Sequence, residues 1–370
     1  MSPSDSLPGL RDAIADVDRA LLELLRRRMD LAAEVGRVKA LANRPVVVRD
    51  VEDRVLTRAR QHAEACGVSE EVMESVFQAI IRGSVERQYR VGISMRRQRG
   101  ERVLIVGGAG GMGSWFRGFF ELAGHEVDIV DPALASVPDA PGRFPSLEAV
   151  ADLDRYAAIL ISVPLGRTPE VLEQVVARKP SGAVIEVASI KSHLVAVLER
   201  ARELGVQVYA LHPMFGPGKS LYEALTFVLA AQGDLIVERR QMETFIRHPY
   251  TRLVVVTFAH HDRLMGWLLG LAHLSNILFG AALTRCGIDP AELHACASAT
   301  FSRHTSNALL VLNANPDLYL DIQHLNPHRH EVYLAMREAM DHIEALVAER
   351  EREGFRQTLA AARRALAGEP

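Results

Sequence analysis

The chain has 370 residues, 48% of them hydrophobic and 24% charged, and a formal net charge of −3. That length allows two or three domains. The near balance of charge excludes nucleic acid or an anionic membrane surface as the main partner, and three cysteines (Cys66, Cys286, Cys296) without a CxxC pair exclude a disulfide framework or a structural zinc site. Residues 1–9 lack the basic start and apolar core of a signal peptide, and no apolar run reaches the ~18 residues of a membrane span, so a cytoplasmic chain with no membrane partner is expected.

The first stretch, residues 1–97, reads as helical. Asp5–Ser6 offers an N-cap. Apolar residues then fall at Leu10, Ile14, Val17, Leu21, Leu24, Leu31, Val35 and Val38, a heptad seam in which Arg28 stands where an apolar residue is due. The spacing predicts a helix ending near Ala42, before Pro45, about 50 Å long at ~1.5 Å per residue. So long a helix cannot bury its stripe alone, which predicts helical neighbours and a second subunit. Further helices are predicted over 51–66 and 70–89, and residues 91–100 read as a linker.

From 101 to 256 strands and helices alternate. Strands are predicted over 102–106, 126–130, 158–163, 183–187, 207–211 and 227–231, a pattern that implies a mostly parallel sheet covered on both faces. From 257 to 370 the chain is helical again, punctuated by Asp289–Pro290, Asn315–Pro316 and Asn326–Pro327. The stretch 263–286 is apolar nearly all round, as in a buried or dimerising bundle.

The first predicted strand runs into Gly107-Gly-Ala-Gly-Gly-Met-Gly113, in which Gly108, Gly110 and Gly113 satisfy GxGxxG. Glycines there permit a tight turn, close approach of backbone to a pyrophosphate and close helix–strand packing. The helix that follows aims free N–H groups at the phosphates. Asp131 closes the second strand 23 residues after Gly108, where a ribose 2′-hydroxyl is held, and its charge repels a 2′-phosphate. The loop residues Gly107, Gly108, Gly110, Gly111, Met112 and Gly113, together with Asp131, thus predict an NAD site and an oxidoreductase.

Such an enzyme needs a group to manage a proton, a task that suits histidine. Of 14 histidines, His212 stands out because it follows a predicted strand and opens His212-Pro-Met-Phe-Gly-Pro217. Sites in open α/β sheets lie at the carboxyl ends of strands. Ser162, before Pro164, has the same placement. His261 and His273 lie 12 residues apart on a helical stretch; for His273 a satisfied core histidine and a site role both stay open. His324, His328 and His330 are interrupted by Pro327 and lack a matching acid or cysteine, so no metal is expected.

In the first segment, a cation on the apolar seam is costly unless an anion meets it. Lys39 lies 11 residues beyond Arg28, close to the same face, and Ser84 and Gln88 are one turn apart on the third helix. Together they outline a pocket for a small dianion.

These residues match known families. Leu10-Arg11, Asp18, Leu21-Leu22-Glu-Leu24-Leu25, Arg28, Glu34-Val35-Gly36, Lys39, then Phe77-Gln78, Ile80-Ile81, Ser84-Val85 and Gln88 resemble the all-helical chorismate mutase domain. Val106–Gly113, Ser162-Val-Pro164, Ala188-Ser-Ile-Lys191, Leu211-His-Pro-Met-Phe-Gly-Pro217, His261-Asp262, His273 and Pro316-Asp-Leu-Tyr319 with Asp321-Ile322 resemble prephenate dehydrogenase. Nearly the whole chain is similar to the bifunctional chorismate mutase/prephenate dehydrogenases. The resemblance implies three domains: a mutase-like helical bundle (1–97), an NAD-binding Rossmann domain (101–256) and a helical C-terminal dimerisation domain (257–370).

The resemblance also implies roles. Arg28, with Arg11 from a second subunit, would hold the two carboxylates of chorismate. Lys39 and Gln88 would stabilise charge on the breaking ether oxygen, with Ser84 and Glu52 binding substrate. His212 would draw off the proton of prephenate's ring hydroxyl, helped by Ser162, while Lys191, His261, His273 and Arg303 line the substrate pocket and Ser162 and Pro164 adjoin the cofactor. A homodimer is implied, with tyrosine as feedback inhibitor. The chain departs from the family pattern twice. Val51-Glu52 stands where the mutase family has Arg-Glu, leaving Arg49 or Arg54 to substitute. Leu309-Leu-Val-Leu312 has no cation where the dehydrogenase family grips the ring carboxylate. The departures motivate one rival, the same chemistry on the 4-amino-4-deoxy analogues; a second rival is a monofunctional dehydrogenase with a non-catalytic, regulatory bundle.

Overall fold

The computed structural model describes residues 7–42, 44, 49–95, 100–136, 140–246 and 251–367. Asp5, Ser6 and Pro45, expected to bound the first helix, lie outside the described residues. In chain order the elements are α1 (Leu7–Leu41), α2 (Arg49–Cys66), α3 (Glu70–Met95), β1 (Arg102–Val106), α4 (Gly111–Ala123), β2 (Glu126–Val130), β3 (Arg143–Phe144) and β4 (Ala158–Ile161). Next come α5 (Thr168–Ala177), β5 (Ala183–Glu186), α6 (Val195–Glu203), β6 (Val208–Pro213), β7 (Leu225–Ala231), α7 (Leu235–Phe245) and β8 (Thr251–Thr257). The remainder is helical: α8 (Phe258–Met265), a π-helical turn (Gly266–Leu271), α9 (Ala272–Leu283), α10 (Pro290–Ala295), α11 (Ala299–Leu312), α12 (Pro316–Leu325), α13 (Arg329–Ala348) and α14 (Arg352–Ala367). The three-layer succession expected from the sequence, helices then a parallel α/β region then helices, is what forms.

Two compact units divide the chain: 1–160 with 214–227 and 242–253, and 161–213 with 228–241 and 254–370. In the first, α1 and α3 pack along their length. They approach so closely that a Cβ at Gly36 would lie 2.6 Å from the carbonyl oxygen of Gln88. The α1 seam residues Leu10, Ile14, Val17, Leu21 and Leu24 remain more than half exposed, so α2 and α3 cover only part of that stripe. The same unit holds strands in the order β3-β2-β1-β4. β1 pairs parallel with β2, Val106 opposite Val130, and β2 pairs parallel with β3. Trp115, Phe116, Phe119 and Phe120 of α4 are buried with Phe227 in an aromatic core. In the second unit β5 pairs parallel with β6, Glu186 opposite Ala210.

The structure differs from the sequence reading in four places. The third helix runs through 91–95, expected as linker; Tyr89 is buried and Arg90 lies over the Tyr222 ring at 5.2 Å, which anchors the extra turn. β6 runs to Pro213, so His212 is inside the strand end rather than after it. β3 is too short for a periodic signal, whereas β8 carries the β-branched run Val254–Val256 that favours strand. The stretch expected as one helix over 263–286 belongs to a longer one, Phe258–Leu283, widened by the π turn; by length and composition alone it is long and apolar enough to cross a membrane.

Candidate active site

The glycine loop is built as the pattern demands. Gly107 has φ of 86°, a left-handed conformation that favours glycine, and the N–H groups of Gly107 and Gly108 donate to Val130 O at 2.8 and 3.2 Å. A Cβ at Gly108 would lie 2.5 Å from Ile129, and one at Gly113 would lie 2.1 Å from Gly107 O. These residues therefore cannot carry side chains. Gly110 is the N-cap of α4 and offers no side-chain cap, so the N–H groups of the first turn stay open to an anion. Asp131 accepts from Ala109 N at 3.0 Å and Ala133 N at 2.9 Å, which holds its carboxylate beside the loop. This cradle fits a dinucleotide. The 214–227 stretch locks onto the same helix: Trp115 Nε1 donates to Lys219 O at 2.7 Å, and Trp115 packs on Phe215 at 4.7 Å.

In the second unit β6 presents His212, buried, with its Nδ1 3.2 Å from His261 Nε2. His261 in turn places Nδ1 2.7 Å from Asp262 Oδ1. Burial acts to raise the Asp262 pKa, but hydrogen bonds from His261, Ser192 and Lys191 N outweigh it and bring it down to about 2. An ionised Asp262 accepts, so His261 carries its hydrogen on Nδ1 and accepts at Nε2. His212 then donates from Nδ1, and its Nε2 is left with a lone pair. Burial, reinforced by His261 and Lys191, keeps His212 well below the ordinary histidine value, so it is neutral at pH 7. The result is an oriented base at a strand end.

Lys191 ties this chain together. Its Nζ pairs with Glu186 Oε1 at 2.6 Å and donates to Leu211 O at 3.0 Å, while its backbone N–H donates to Asp262 at 2.9 Å. Both members of the ion pair are fully buried. Asn326 Nδ2 donates to Asp262 O at 2.8 Å and steadies the same helix.

Two of the residues expected in the substrate pocket are engaged within the protein. Lys191 and His261, expected against substrate, sit behind His212: Lys191 is wholly buried and paired, and both ring nitrogens of His261 are engaged. His261 meets His212 itself, and Lys191 meets the carbonyl of the preceding residue, Leu211. Sequence reasoning passed over Glu186, Ser192 and Asn326; an acid closing a strand five residues before a lysine was the available signal for Glu186.

The other predicted residues are placed as follows. Ser162 is half-buried just beyond β4, and Pro164 precedes a short turn, Leu165–Arg167. His273 is half-buried, stands edge-on to Tyr319 at 4.5 Å and has Nδ1 buried without a partner among the described residues. Arg303 is exposed on α11, and Arg11 is exposed on α1. Among the described residues no group of three or more His, Cys, Asp or Glu could hold a metal.

The α1–α3 seam holds the second constellation. Arg28 is half-buried, donates to Ile80 O at 3.2 Å and to Ser84 Oγ, and burial lowers its pKa. Gln88, one turn beyond Ser84, has Oε1 buried without a partner among the described residues. Burial lowers the Lys39 pKa against an opposing pull from Glu52. A cation, an amide and a second cation thus line one side of the seam. Val51 is 44% exposed and Arg54 is exposed; the side chain of Arg49 lies outside the described residues.

The parallel sheet with its glycine cradle and oriented histidine defines an NAD-dependent oxidoreductase, with a helical segment before it. Residues 10–89 match the family model of chorismate mutase type II, 143–239 that of the prephenate dehydrogenase nucleotide-binding domain, and 257–361 that of its dimerization domain. The T-protein of Enterobacter agglomerans is 29% identical over 322 residues, spanning 85% of this chain and 81% of its own. That of Haemophilus influenzae is 24% identical over 356 residues, 96% and 91% of the two chains. The crystal structure of prephenate dehydrogenase from A. aeolicus shares the fold at a TM-score of 0.60 and 19% identity, over 73% of this chain and 98% of that one. The chain thus carries a chorismate mutase match followed by prephenate dehydrogenase matches, and over most of its length it is similar to the T-proteins.

Proposed function

We propose that the chain performs two consecutive steps of tyrosine biosynthesis, rearranging chorismate to prephenate and then oxidatively decarboxylating prephenate to 4-hydroxyphenylpyruvate. The observation that carries the second step is the His212–His261–Asp262 chain, which leaves Nε2 of His212 free to accept the ring-hydroxyl proton. As that proton arrives, the imidazolium is stabilised through His261 by the Asp262 carboxylate. NAD, held at Gly107–Gly113 and Asp131, supplies the hydride acceptor, while loss of the ring carboxylate as CO2 makes the ring aromatic. Ser162 orients the substrate hydroxyl.

For the first step no nucleophile is needed; a pericyclic rearrangement gains from restriction and electrostatics. Arg28 binds a carboxylate, and Lys39 and Gln88 face the breaking ether oxygen. If Gln88 donates with its amide there, its buried Oε1 still needs a ligand or partner-subunit donor. Arg11, exposed within one chain, is supplied across a dimer. The exposed seam of α1 and the match to a dimerization domain over 257–361 support a homodimer and give the apolar helix Phe258–Leu283 a protein partner rather than a membrane. Three free, exposed cysteines suit the reducing cytoplasm. Domains are inferred over 1–97, 101–256 and 257–370, and tyrosine is the expected feedback ligand.

The test is an assay of the purified protein for chorismate loss without NAD, and for NADH formation with prephenate and with 4-amino-4-deoxyprephenate. Arg28→Ala is expected to abolish only the first activity and His212→Asn only the second. Strong preference for the amino substrate, or chorismate loss that persists in Arg28→Ala, would overturn the corresponding half.

A further inference from the structure

The helix that bears His261 changes its winding before it reaches His273. Gly266–Leu271 forms a π turn between α8 and α9, and the buried positions along this stretch are His261, Asp262, Met265, Gly266 and Gly270. A π turn bonds i to i+5 and so takes up one residue more than an α turn. In an uninterrupted α-helix His261 and His273, 12 residues apart, would point about 120° away from each other. With one residue absorbed the difference falls to about 20°. The π turn therefore places His273 on the face that His261 presents to His212.

A widened turn is held only where its surroundings over-determine it. Here α12 does so. Gln323 Nε2 donates to Gly270 O at 3.0 Å, and Gln323 Oε1 accepts from the Tyr333 hydroxyl at 3.3 Å. One turn earlier, α12 supplies Tyr319, whose ring meets His273 at 4.5 Å. The buried Nδ1 of His273 has no partner among the described residues, as suits a group kept ready for a ligand.

We infer that Gln323 is a positioning residue of the dehydrogenase site: by holding the π turn it sets the rotation that presents His273, about three turns on, on the same helix face as His261, and thereby the affinity for the ring substrate. The inference rests on the dehydrogenase reading above. In the full-length enzyme, Gln323→Leu is expected to raise KM for prephenate roughly tenfold while kcat stays within about twofold. KM for NAD and the mutase activity stay unchanged. His273→Ala shifts KM in the same direction, and the double variant is no worse than His273→Ala alone, because both act through one side chain. Should Gln323→Leu fail to fold, Gln323→Glu keeps the size and the acceptor for Tyr333 but cannot donate to Gly270 O, and the same pattern is expected. An unchanged KM, a multiplicative double variant, or parallel losses in kcat and mutase activity would overturn the role of Gln323 while leaving the dehydrogenase reading intact. A wild-type enzyme that fails to oxidise prephenate would overturn both.

Discussion

At the residue scale, the proposed oxidation turns on how a buried imidazole is kept neutral and aimed. His212→Asn removes the base while keeping a hydrogen-bonding side chain of similar reach. It should lower kcat for prephenate oxidation by about 10² or more with little change in NAD affinity, read by steady-state kinetics. The pH dependence has a definite sign. Burial holds His212 well below 6.5 in the folded state and lowers His261 as well. A depressed folded value means that their contribution to stability is complete above the unfolded value of about 6.5 and is lost as pH falls through the folded values. Thermal unfolding should therefore give a flat Tm above about pH 7 and a falling one in acid, with a shallower fall in His212→Asn. Behind the histidines, Glu186 and Lys191 are fully buried. Removing one partner strands a buried charge, so Glu186→Ala should destabilise by about 3–5 kcal/mol in denaturant titration. It should also disturb turnover, because Lys191, which donates to Leu211 O next to His212, loses its charge partner.

At the element scale, two close approaches set the two sites. The Gly36 Cα lies so near the Gln88 backbone that any side chain must part α1 from α3. Gly36→Ala is expected to cut mutase kcat/KM by at least about tenfold, by moving Lys39 relative to Gln88, and to leave prephenate oxidation nearly intact. Gly113→Ala would place a methyl 2.1 Å from Gly107 O, forcing the loop open. There the expected loss is in NAD affinity, measured by fluorescence titration, with the mutase untouched. Opposite outcomes in either pair would separate the site from the element said to build it.

At the scale of the whole molecule, the long helix α1 carries more apolar surface than one chain covers. Leu21 is 53% exposed on the seam. Leu21→Glu should weaken a dimer that depends on this stripe, seen as a concentration-dependent shift in sedimentation, and should depress mutase activity in parallel because Arg11 then lacks its partner site. A variant that stays dimeric with full mutase activity would place the mutase interface elsewhere.

Much of this was legible in order along the chain. Periodicity marked α1, and the glycine motif marked the start of α4, since both depend on neighbours in sequence. The glycine loop was legible because each glycine answers a local steric demand, later visible as collisions at Gly108 and Gly113. Arg28 was legible as a cation on an apolar seam, and His212 as a histidine at a strand end. What the tertiary structure alone decided are contacts between distant segments. His212 meets His261 across 49 residues and Asn326 meets Asp262 across 64. Lys191 has no sequence mark of burial; it is buried because Glu186, Leu211 O and Asp262 converge on it from separate elements. The π turn contains Gly266 and Gly270, yet what holds it is Gln323 from 53 residues away. Local sequence therefore determined which elements form and which residues they offer, whereas the pairing that gives His212 its tautomer needed the fold, because a side chain's protonation depends on what meets it in space.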